Sequence, residues 1–118
     1  MSFKAAVRHT GDVAIVDLAG RLTLGDGSGT IRNTIKDLVT KGDKKILLNL
    51  NEVTYLDSSG LGEMVGAYAT VTNAGGEIKV MNTQRIHDLL QVTKLYTVFP
   101  DYNDEDTAVR SFGRGAGA

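Results

Sequence analysis

The chain has 118 residues, 42% of them hydrophobic and 23% charged, with a formal net charge of -1, enough for one domain with a core and too few for two. That balance supplies no general field to draw nucleic acid or an acidic membrane, and the absence of cysteine removes disulfides, thiol catalysis and thiolate metal sites together. Met1-Ser2-Phe3-Lys4 lacks the basic stretch and apolar core of a signal peptide, and no segment approaches the roughly 18 apolar residues of a membrane span, so a soluble cytoplasmic protein is expected.

In chain order, Phe3 to Val7 and Val13 to Leu18 read as two strands around the turn residues His9-Thr10-Gly11-Asp12, and they should pair as a hairpin. Ala19 to Gly29 is rich in glycine and reads as an exposed loop. From Thr30 the spacing turns helical, with Ile31, Ile35, Leu38 and Val39 on one face and a stop near Lys41-Gly42. Lys45 to Leu50 is a short apolar run of the kind a buried strand shows. Tyr55-Leu56-Asp57-Ser58-Ser59-Gly60-Leu61-Gly62 follows, and then Leu61, Met64, Val65, Tyr68 and Ala69 recur on one face of a helix that Ala74-Gly75-Gly76 ends. Glu77 to Met81 alternates as a strand, Gln84 to Val92 suits a short helix, and Tyr96 to Phe99 suits a last strand closed by Pro100. A terminal helix is expected over Asp104 to Ser111. Residues 1–112 therefore read as one domain and 113–118 as a flexible tail with nothing to bury.

A hairpin followed by alternating strands and helices predicts an α/β domain, a mixed and mostly parallel sheet flanked by about four helices. Sites in such sheets lie outside the carboxyl ends of the strands. Both the Gly20 to Gly29 loop and the Asp57 to Gly60 corner follow such ends, so they adjoin if their strands are neighbours.

Several sites of established chemistry fail on spacing. The third glycine of a dinucleotide fingerprint falls at Thr30, no Gly-Lys-Ser/Thr is present for a phosphate loop, and the residues two before Ser28 and Ser59 are aspartates rather than the glycine of a nucleophile elbow. His9 and His87 have no metal-ligand spacing. In Asp101 to Asp106 the glycine of a calcium loop is replaced by Asp106 and its final glutamate by Phe112, leaving a solvated acidic run before a helix. Asp57 and Glu63 form a carboxylate pair without a second functional group around them, so no catalytic residue, cofactor or metal site is assigned.

The corner offers more than a helix start requires. Asp57, Ser58 and Ser59 stand where N-caps belong, yet Gly60, Gly62 and Gly66 each weaken a helix by up to about 1 kcal/mol relative to alanine. Another backbone should therefore approach closely, either the domain's own sheet or a partner's.

Asp57-Ser58-Ser59-Gly60-Leu61-Gly62 after an apolar strand, with Gly20-Arg21-Leu22 upstream and Asn73-Ala74-Gly75-Gly76-Glu77-Ile78-Lys79 downstream, resembles bacterial anti-sigma factor antagonists of the STAS domain family. The resemblance runs over almost the whole chain and is most specific in the Asp-Ser-Ser-Gly-Leu-Gly stretch. It implies a non-enzymatic regulator of sigma-factor-dependent transcription, whose serine after the aspartate, here Ser58, is phosphorylated by an anti-sigma factor that is itself a serine kinase. A serine phosphatase reverses the modification, and only the unphosphorylated protein holds the anti-sigma factor. The partner-binding positions carried over are Asp57, Ser58, Ser59, Gly60 and Leu61 with the loop residues Thr23, Gly25 and Asp26. Thr23 stands where the family commonly has aspartate, and Asp26 offers that charge from a different register. Two other readings stay open: a STAS scaffold or sensor module whose Ser58 is never modified, and a nucleotide-binding protein that uses the glycine-rich loop.

Overall fold

The computed structural model describes residues 3–23, 29–86, 88 and 101–117. Strand β1 (Lys4–Thr10) pairs antiparallel with β2 (Val13–Leu22), with Thr10 opposite Val13. Only Gly11 and Asp12 are left to turn the chain, and Gly11 does so at φ 60°, where a side chain is strained. The hairpin is thus tighter than the His9 to Asp12 turn expected, because two residues suffice once a glycine takes the left-handed position.

Strands β3 (Lys45–Leu56), β4 (Glu77–Met81) and β5 (Asp101–Tyr102) then add in parallel, giving the order β1-β2-β3-β4-β5. The mixed, mostly parallel sheet is as expected. Helices α1 (Thr30–Thr40) and α2 (Ser58–Asn73) cover one face and α3 (Glu105–Gly117) the other. Alternate residues of β2 serve the two sides: Ala14, Val16 and Leu18 join the α1/α2 core, while Val13 and Ile15 pack with Leu47, Met81, Ala108 and Phe112 under α3.

Several expectations need correction. Ala19–Leu22 belongs to β2 rather than to a loop, and β3 runs six residues past Leu50, to Leu56. The reason is a pair of irregularities: between Asp17 opposite Asn49 and Leu22 opposite Leu56, β3 carries two more residues than β2. Leu50, Val53 and Leu56 are consequently buried on one face at spacings of three, which a period of two does not anticipate. Of the about four helices expected, three are bounded among the described residues, α1, α2 and α3. Of the short helix expected over Gln84 to Val92, the described residues give a 3-10 turn at Gln84–Ile86 and a helical Asp88; His87 and residues 89–100, with the expected Tyr96 to Phe99 strand, lie outside the described residues. α3 extends beyond Ser111 and takes in 113–117, where a tail was expected. Asp104 starts it, accepting from the Thr107 N–H at 3.0 Å. Lys79, expected on a polar alternation, is buried beneath α3, where Nζ donates to Ser111 Oγ at 2.8 Å and lies 4.6 Å from the centre of the Phe112 ring.

A staple joins the hairpin to α3. Arg8 donates to both oxygens of Asp17 (Nε 2.7 Å, Nη2 3.2 Å) and both of Glu105 (Nη1 3.0 Å, Nη2 2.7 Å). These bonds hold both carboxyls below their ordinary range, against a smaller opposing effect of desolvation. The pairs are partly exposed and screened, so replacing Arg8 with Met is expected to cost only about 1 kcal/mol near neutral pH, measured by urea denaturation. Because the folded carboxyls titrate lower than the unfolded ones, this contribution is present above the ordinary carboxylate range and lost as pH falls through the lowered values. A difference between wild type and Arg8→Met that persists undiminished at about pH 2 would contradict this origin.

Candidate functional site

The corner between β3 and α2 is built from Asp57 outward. Asp57 keeps extended backbone angles, and its Oδ1 accepts from the Gly60 N–H at 3.0 Å while its carbonyl accepts from Leu61 N–H at 2.9 Å. One residue therefore closes the first turn with its side chain and begins the helical ladder with its backbone. Asp57, not Ser59, is the N-cap, because its carboxylate reaches the third helical N–H. Ser58 is left exposed in the first turn and Ser59 half-buried behind it.

The end of β2 fixes this corner. The Asp57 N–H donates to the Leu22 carbonyl at 3.2 Å. A Cβ on Gly60 would run into the same carbonyl oxygen and lie 2.9 Å from Leu22 Cγ and 3.1 Å from Leu56 Cβ. Gly60 is thus the point where helix backbone rests on sheet. The approach decides which face of α2 is buried: Gly60, Met64, Ala67 and Val71, with Leu61 and Tyr68 packed at the margin. Val65 is 43% exposed and Ala69 is exposed, contrary to the face expected from spacing. On the outer face a Cβ at Gly62 or Gly66 would meet nothing within 4 Å among the described residues. Of the three glycines, the first answers to the domain's own sheet and the other two face open space.

The two ends of the β2–α1 connection adjoin the start of α2, as strand adjacency requires. Thr23 directly follows Leu22 and is half-buried, whereas Gly25 and Asp26 lie outside the described residues. The chain re-enters at Gly29, buried, which starts α1 without a side-chain cap and donates its N–H to Glu63 Oε2 at 3.1 Å. Asp57 and Glu63 consequently hold different N–H groups, and no acid-base function is needed to explain either. On the sheet beside the corner, the Arg21 guanidinium lies 4.8 Å from the centre of the Tyr55 ring, whose residue is 38% exposed.

Sequence reasoning missed the Leu22 carbonyl, the Arg21–Tyr55 pair and the bond from Gly29 to Glu63. Only the last had a signal: the third helical position of α1 is Arg32 rather than the Glu or Gln of a capping box, so an acid had to come from elsewhere. His9 is exposed, its Nε2 3.2 Å from Asp43 Oδ1. Among the described residues no group of three or more histidine, aspartate or glutamate side chains is placed to hold a metal ion, and no helix is long and apolar enough to cross a membrane.

A family model for the STAS domain matches residues 4–108. The chain is 30% identical over 111 residues to the anti-sigma F factor antagonist of Paenibacillus polymyxa, a match that spans 92% of this chain and 94% of the relative. Among solved structures, a candidate anti-sigma factor antagonist from Thermotoga maritima superposes with a TM-score of 0.84 at 22% identity, over 93% of this chain and 95% of that one. The Bacillus cell fate determinant SpoIIAA in its phosphorylated form superposes with a TM-score of 0.67 at 21% identity, over 93% of this chain and 99% of that one. Likeness at these identities establishes the fold.

The glycines of α2 separate cleanly in a denaturation experiment. Gly60→Ala forces the helix off the Leu22 carbonyl and is expected to cost about 1–3 kcal/mol. Gly62→Ala, in open space at an exposed helical position, is expected to add up to about 1 kcal/mol. Equal effects of the two substitutions on the urea midpoint would show that Gly60 is not where the helix meets the sheet.

Proposed function

The chain belongs to the STAS domain family, and on that footing we propose that it is an anti-sigma factor antagonist, a non-enzymatic cytoplasmic regulator switched by phosphorylation of Ser58. Unphosphorylated, it docks on an anti-sigma serine kinase through Asp57, Ser58, Ser59, Gly60 and Leu61 together with the Thr23 to Asp26 loop. Binding holds the anti-sigma factor away from its sigma factor, and a serine phosphatase restores the docking form. The carrying observation is the exposure of the Ser58 hydroxyl at the first turn of a helix whose start is fixed by Asp57 and Leu22. Open space over Gly62 and Gly66 supports the same surface, since glycines that no contact within the domain demands leave room for a partner's backbone.

A phosphate has a calculable effect there. It brings about -1.5 to -2 charge at neutral pH to a turn where the carboxylate of Asp57 already occupies the Gly60 N–H. Within the free domain, water and the remaining N–H groups at the helix start accommodate it. Under a docked partner it must be desolvated beside a like charge, so complex formation is penalised while the fold is not.

Titration of the source organism's anti-sigma serine kinase with Ser58→Glu protein is expected to show affinity lower by about 5- to 150-fold. Ser58→Ala should bind normally and accept no phosphate from that kinase, and Ser59→Ala should still accept one. Full affinity in Ser58→Glu, or phosphate transfer to Ser58→Ala, would overturn the proposal.

A further inference from the structure

We infer that Glu63 is a positioning residue for the docking surface: its carboxylate fixes Gly29, at the start of α1, to α2 beside the Ser58 corner. The inference rests on the docking reading above. Its basis is how the connection is held at its two ends. At the first, Leu22 receives the Asp57 N–H through its carbonyl and carries the backbone of Gly60. At the second, the Gly29 N–H donates to Glu63 Oε2 at 3.1 Å. Both ends therefore stand on the opening two turns of α2, the segment that also displays Ser58.

The second attachment is a capping bond made in trans. A helix start satisfies the N–H of its cap residue when a Glu or Gln at the third helical position reaches back. In α1 that position is Arg32, and Gly29 has no side chain with which to cap. Glu63 supplies the missing acceptor from the next helix, and its negative charge lies at the positive end of α1. Its other oxygen, Oε1, is buried without a hydrogen-bond partner among the described residues. A carboxylate kept half-unsatisfied in this way carries a desolvation cost that simple packing does not demand, whereas anchoring Gly29 does require an acceptor at this place.

Amide hydrogen exchange on the free protein and titration with the anti-sigma serine kinase test the inference together. In Glu63→Ala, exchange at Gly29 is expected to accelerate by about tenfold or more while β3 and β4 keep their protection, and kinase affinity is expected to fall by about tenfold. Glu63→Gln retains an acceptor oxygen and should keep Gly29 protected, with affinity within about threefold of wild type. Unchanged exchange at Gly29 overturns the inference, as does loss of protection throughout the sheet or outright unfolding in Glu63→Ala, since Glu63 would then serve the whole fold. Faster exchange at Gly29 with unchanged affinity overturns it alone and leaves the docking reading standing. Failure of wild-type protein to bind the kinase overturns the docking reading, and the inference with it.

Discussion

The contact between Gly60 and the Leu22 carbonyl governs the geometry around the corner. No residue with a Cβ fits there without displacing helix from strand, so this one approach sets both the height and the rotation of α2 over the sheet. From the rotation follow the burial of Met64, Ala67 and Val71 and the exposure of Val65, Gly62 and Gly66. From the height follows the hydrogen bond of the Asp57 N–H to Leu22, while the Asp57 side chain caps the helix. Ser58 is presented because it lies between Asp57, held by its cap, and Gly60, held on the sheet.

The two extra residues in β3 prepare that contact. Without them Leu56 would not stand opposite Leu22, and Asp57 would leave the sheet at another height. The opposite face of the sheet has a separate organisation. α3 is held by Ala108 and Phe112 on the apolar side and by Arg8 at its start, while Asn49 links Asp17 to Asn82 through bonds of 2.8 and 3.0 Å. None of these groups belongs to the corner. The packing under α3 is therefore separate from the turn that carries Ser58, and under the proposed switch a charge added there would act on what docks against α2.

Local patterns with one dominant cause are legible in the sequence. α1 has its apolar period with Lys41-Gly42 after it as the stop, and Thr30–Thr40 agrees with them to within a residue. Glu77–Met81 is preceded by the Gly75-Gly76 pair, and the corner is marked by Asp-Ser-Ser-Gly. What is not legible depends on residues far apart in the chain. The rotation of α2 needs Leu22 to be known as the surface beneath Gly60, and the length of β3 needs its bulged register against β2. The true cap shows the same limitation at shorter range: Asp57, Ser58 and Ser59 are all good N-caps, and only the backbone bond to Leu22 selects the first. Resemblance implied a role for Ser58; that Gly62 and Gly66 stand apart shows only when Gly60 is seen to be the one glycine of α2 that rests on the sheet.

The central claim is that modification of Ser58 changes what the corner can touch without changing how the domain is folded. Backbone amide chemical shifts, recorded before and after stoichiometric phosphorylation of Ser58, test it most directly. The account expects shift changes confined to the corner, the first turns of α2 and the facing end of β2, with α3, β4 and the hairpin unmoved. Changes that spread through the α2 core and across the sheet to α3 would contradict it, because the phosphate would then act by rearranging the fold.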